Sequence, residues 1–203
     1  MNFQQLLNSS VFTFPSHAVS AEYGSLVRSA EINAKHKSSD WLSLLIGFRY
    51  INLQESLTIR QDVYFSHTVD TTNNLFGGQV GMDAFLWSRG RARLDGWAKG
   101  GLYGNSAQSN YAFGFPAIPN ANIDASTSRG QLAFAGDLGV AASYSLTDHI
   151  ALRAGYQLLW IDGVALASDQ FNVSVPPNSN GPVINSTSGV FYHGALLGLE
   201  ASW

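Results

Sequence analysis

Apolar residues alternate with small or polar ones from Gln131 to Trp160, on both sides of a short polar break. The even positions read Leu132, Phe134, Gly136, Leu138, Val140, Ala142 and Tyr144, then Ile150, Leu152, Ala154, Tyr156, Leu158 and Trp160. The odd positions carry Ala, Gly and Ser with single ionisable residues, Leu159 being the exception. Successive side chains on a strand point to opposite faces, so this stretch predicts a β-hairpin with one continuous apolar face. A soluble sheet would turn that face inward and cover the other with Lys, Glu and Thr. The second face lacks such cover and suits a crowded interior, while Tyr144 and Trp160 end the apolar face where an aromatic belt would meet a bilayer interface. The apolar face is therefore read as lipid-facing.

The same period recurs along the chain. Strands are expected at about Ala21 to Lys35, Leu42 to Tyr50, Leu57 to Phe65, Phe76 to Leu86, Ala92 to Leu102, the two hairpin arms, and a last strand from Phe191 to Trp203. Asn52 to Glu55 reads as a tight turn, as does Ser88 to Arg91, where Gly90 tolerates a positive φ. Ser66 to Thr72 reads as a polar connection, and Asn105 to Ser128 and Asp162 to Gly189 as two long ones. Eight strands with short turns at one rim and longer loops at the other predict an all-β, antiparallel, up-and-down transmembrane β-barrel. Its domain spans 21–203 and follows an irregular segment, 1–20.

Composition agrees with this picture. Charged residues are 12% of the chain, about half the share in ordinary soluble proteins, and mean hydropathy is +0.00, so apolar and polar residues are finely interleaved. No apolar run is long enough for a transmembrane helix, but interleaving is how a barrel strand reads. The absence of cysteine removes disulfides and thiolate metal sites. A net charge of −3 with scattered Lys and Arg offers no stripe for nucleic acid. Met1 to Ala21 has no Lys or Arg and makes a poor signal peptide despite Ala18-Val19-Ser20-Ala21, so an outer-membrane location requires an export signal outside this chain.

By alternation, Glu31, Asp62, Asp83, Asp95, Asp137 and Glu200 share the inward face with Arg49, Arg60, Arg93, Lys99 and Arg153. Charges in a narrow lumen must be paired, so a salt-bridge network is expected, with Glu31 and Asp62 the candidate partners of Arg49. The sharper alternative is a selectivity cluster lining a water path. His67 and His193 belong to no catalytic motif, and Gly77-Gly78 and Gly100-Gly101 lie within strands rather than before helices. The chain is read as a non-enzyme without cofactor or metal. Trp203 closes the last strand as an aromatic terminal residue and is expected to serve as the assembly signal, anchored in one aromatic belt with Tyr50 and Tyr144.

Glu31-Ile32-Asn33, Gly47-Phe48-Arg49-Tyr50 with Leu53 and Glu55, Asn73-Asn74-Leu75-Phe76-Gly77-Gly78-Gln79-Val80-Gly81 and Tyr192-His193-Gly194-Ala195 carry a resemblance. They resemble the putative beta-barrel porin family abundant in planctomycetes, the type-7 group, over roughly Glu22 to Trp203. That resemblance implies a barrel of the bacterial outer membrane with porin character and no catalytic residues to carry over. Members are generally longer at the N-terminal side. The leading function is thus a porin or passive envelope component, with outer-membrane lipid and the barrel assembly machinery as partners and small solutes as cargo. One alternative is a plugged barrel whose long loops bind a surface partner; another is a soluble ligand-binding β-barrel.

Overall fold

A computed structural model describes residues 10–14, 17–61, 65–115, 118, 123–170 and 184–201 of the chain. Eight antiparallel strands follow one another in sequence order as a single curled sheet: β1 Ser10–Phe14, β2 His17–Lys37, β3 Leu42–Gln61, β4 Phe65–Arg89, β5 Ala92–Gly114, β6 Ile123–Ser145, β7 Ile150–Val164 and β8 Ser188–Ala201. The all-β, antiparallel, up-and-down architecture expected from alternation is observed, as a curled half-barrel consistent with a β-barrel. β1 is a short strand on β2, so the curl consists of seven long strands. β2 and β8 are not backbone-paired with each other, although the Ser25 and Tyr192 hydroxyls bridge them at 2.6 Å. Leu197, Ile32 and Leu199, the most exposed large apolar side chains among the described residues (83%, 76% and 73%), lie on these two edge strands.

Several strands are longer than alternation of the apolar face predicts. Asn52 to Glu55 is no turn but the middle of β3, Ser66 to Thr72 belongs to β4, and most of Asn105 to Ser128 is β5 and β6. Pairing also reaches back to Ser10, within the segment expected to be irregular. The physical reason is a change of surroundings. On the outward face, Phe48, Phe76, Leu102 and Leu132 give way to Ser56 and Thr58, Thr72 and Asp70, Ser106 and Gln108, and Ser128 and Ser126 farther along the same strands. Backbone pairing and inward burial continue across that switch, through Ile51, Leu53, Val69 and Ala107.

The outward apolar band is bounded on both sides. From Phe76 to Leu86 on β4 it spans ten steps of about 3.3 Å, or about 25 Å at a strand tilt of roughly 40°, the height of a bilayer-facing band. Trp41, Trp87 and Tyr144 are exposed near the rim made by the three short turns, between β2 and β3, β4 and β5, and β6 and β7. A bulge between Phe85 and Trp87 turns both Leu86 and Trp87 outward there. At the other border Tyr50 stacks on Phe76 at 4.6 Å, and Phe134 meets Trp160 edge-on at 5.7 Å. Tyr50 therefore sits on the opposite belt from Tyr144, because β3 runs on past it; Trp203 lies outside the described residues. Gly90 takes φ +60° in the β4–β5 turn, as its residue type predicts.

Candidate functional site in the barrel interior

Toward the short-turn rim the interior is polar and its charges are paired. Arg49 on β3 reaches across the curl to Asp137 on β6, with Nη1 donating to Oδ2 at 3.2 Å, and its Nε donates to Ser29 Oγ at 2.9 Å. Both members of this pair are buried. Asp137 also accepts the Trp97 indole N–H at 2.9 Å and the Gln157 amide at 2.9 and 2.8 Å, which compensates a carboxylate removed from water. Lys99 donates to Glu31 at 2.5 Å, and Gln79 donates to Glu31 at 2.7 Å. Nearer the rim are Lys35 with Asp83, Arg93 with Asp95, and Arg153 with Glu200.

Above this layer the interior is apolar. Val27, Ile51, Leu53, Leu75, Tyr103, Leu159, Ile161 and Tyr192 pack into one buried cluster across the curl. The residues that follow β7, as far as Gln170, enter the curl on top of it. Gly163, at φ +79°, makes a bulge at the end of β7, and a Cβ there would meet the Leu132 carbonyl at 2.6 Å. The bulge reverses the alternation, so that Val164, which would otherwise point outward with Trp160, is fully buried. The following residues, Ala165 and the short 3-10 helix Ala167–Gln170, then lie within the curl.

Side-chain amides hold this inserted segment. Asn73 Nδ2 donates to the Ala165 carbonyl and the Ala165 N–H donates to Asn73 Oδ1, each at 2.8 Å. Asn105 donates to both Asn73 Oδ1 and the Gly163 carbonyl at 3.0 Å. Gln131 donates to the carbonyls of Gly163 and Ser186, and Gln170 exchanges two hydrogen bonds with the backbone of Asn185. Buried backbone groups of a loop need such partners, and here Asn73, Asn105 and Gln131 of the barrel wall and Gln170 of the segment itself supply them. Glu55 accepts the Ala167 N–H at 3.0 Å and the Tyr23 hydroxyl at 2.6 Å. Burial pushes its carboxyl above the ordinary carboxylate range, although those hydrogen bonds pull the other way.

Of the residues expected to line the lumen, Glu31, Arg49, Asp83, Arg93, Asp95, Lys99, Asp137, Arg153 and Glu200 take part in these ion pairs. They form separate pairs at different depths rather than one ring. Arg49 stands opposite Glu31 in the β2–β3 register, yet its ion pair is with Asp137, because curling brings β6 across the interior. Arg60 is exposed on the face that Phe48 shares, and so is not a lumen residue; the continuous β3 places it there. Asp62 lies outside the described residues. Alternation missed Lys35, the partner of Asp83, and the amides Asn73, Asn105 and Gln131. Their signal was present: they are polar residues in phase with the inward apolar positions Leu53, Leu75, Tyr103 and Ala133.

The family model described as Putative beta barrel porin-7 (BBP7) matches residues 3–203. No curated protein and no solved structure matches the chain. The family description points to a non-enzymatic barrel, in keeping with a curled antiparallel sheet that is apolar outside and paired inside. The chain belongs to the Putative beta barrel porin-7 family.

Proposed function

We propose that the chain is a β-barrel of the bacterial outer membrane that stands closed, a non-catalytic envelope component whose interior conducts only when the segment 165–170 leaves it. The observation that carries this reading is the double hydrogen bond by which Asn73 holds Ala165 inside the barrel, directly over the apolar cluster. An open porin keeps a water-filled lumen; here side chains and an inserted segment occupy it. Lipid covers the outward apolar face, the barrel assembly machinery inserts the chain, and the short-turn rim faces the periplasm. Planar-bilayer recording tests the reading. Refolded wild-type protein gives no steady channel, and the Asn73→Ala, Gln131→Ala double variant gives discrete openings. Steady porin-sized conductance from wild-type protein would refute closure.

A further inference from the structure

Below the apolar cluster, the interior leaves a cavity of about 220 Å³. Val27 and Leu159 of the cluster form its floor, Arg49, Trp97 and Lys99 its walls, and the partly exposed Asp83 and Arg153 stand toward the short-turn rim. One water needs only about 10–15 Å³ on such a measure, so a small organic molecule fits. The Arg49 guanidinium is 7% exposed and fixed at two of its nitrogens, by Ser29 and Asp137. Its Nη2 meets no acceptor among the described residues. A buried, immobilised guanidinium with a donor to spare is a preorganised carboxylate receptor.

Charge narrows the ligand further. The lining carries Arg49, Lys99 and Arg153 against Glu31, Asp83 and Asp137, three of each sign. A bare anion would upset that balance close to Asp137, whereas a ligand carrying both signs preserves it. The acids that are not saturated lie nearer the opening: Glu31 and Asp83 side chains are 29% and 34% exposed, against 3% for Asp137. We infer that this blind cavity is a binding site for a small zwitterion of the α-amino acid class, its carboxylate on Arg49 and its ammonium toward Glu31 and Asp83, with Trp97 as the wall. The inference rests on the closed reading only for the cavity floor.

Isothermal titration of the full chain refolded in detergent tests it, with glycine as the probe and acetate, methylammonium and glucose as comparators. Glycine is expected to bind saturably at one site, with acetate and methylammonium each about tenfold weaker, as loss of one charge-assisted contact implies. Ser29→Leu, which fills the cavity, abolishes glycine binding while circular dichroism and heat-modifiable mobility stay as in wild type. Arg49→Lys keeps the charge but loses the fork and weakens glycine by about tenfold. Absence of saturable glycine binding, acetate or glucose binding as well as glycine does, or full binding by folded Ser29→Leu would each overturn the inference. Should a variant not fold, the order of the four ligands on wild-type protein decides it alone. Conductance of the same preparation reads closure separately: an open channel that still binds glycine contradicts the closed interior and leaves the site standing.

Discussion

Asn73→Ala should release the segment 165–170 from the barrel. The substitution removes both 2.8 Å bonds to Ala165 and the acceptor of the Asn105 amide, in a place where Asn73 and Ala165 are fully buried. A buried N–H or C=O left without a partner costs about 1–3 kcal/mol, so docking of the segment weakens by about 2–5 kcal/mol, toward the low end if water enters the vacated space. At about 1.4 kcal/mol per tenfold, the undocked population rises by about 30-fold to a few thousandfold. The native chain has no cysteine, so Ala167→Cys provides a single thiol at a fully buried position of the inserted segment. Its alkylation rate, divided by that of a Ser128→Cys control on the exposed outer wall, reports the undocked fraction. Asn73→Ala should raise the ratio by the factor above. The reasoning fails if the ratio moves by less than about threefold, or if the thiol at position 167 already reacts as fast as the control.

The remaining predictions concern protons, lipid and the buried pair. Because burial raises the Glu55 carboxyl in the folded chain, its proton contributes stability that is fully present below the ordinary carboxyl range and is lost as pH climbs through the raised value. Glu55→Gln should therefore flatten the pH dependence of unfolding across that window, and an unchanged profile would contradict it. Leu138→Arg, at mid-height of the outward face, should cost about 2–4 kcal/mol in refolding into lipid bilayers. Ser128→Arg, on the same face beyond the band, should stay within about 0.5 kcal/mol, and equal costs would place the band wrongly. Arg49→Met and Asp137→Leu should each cost about 3–5 kcal/mol by stranding a buried charge, while the double variant costs less than their sum; strict additivity would dissolve the pair.

How much of this was legible in the sequence depends on what each position faces. The β6–β7 hairpin and the turn at Gly90 were readable because outward and interior residues differ sharply in type along Leu132 to Tyr144 and Ile150 to Trp160. The outer halves of β3, β4 and β5 were read as turns and connections because their outward residues are polar rather than apolar. Only inward positions such as Ile51, Leu53 and Val69 kept the period there. Alternation also says which charges point inward but not which ones meet: Arg49 and Asp137 are separated by three strand crossings, and only the curl of the sheet joins them. The inserted segment was hidden for a further reason. One glycine, Gly163, turns Val164 inward against the alternation, and a two-residue period has no term for a bulge.

The alternation of lipid and interior along β6 is the most direct test of the account. Single cysteines at each position from Leu132 to Tyr144, spin-labelled in protein refolded into bilayers, report collision with oxygen, which partitions into lipid, and with a water-soluble nickel chelate. The account predicts a period of two: even positions high for oxygen and lowest for nickel near Leu138, and Ala133, Ala135 and Asp137 low for both because they are buried. High nickel accessibility at the even positions, or oxygen accessibility that peaks at the odd ones, would contradict it.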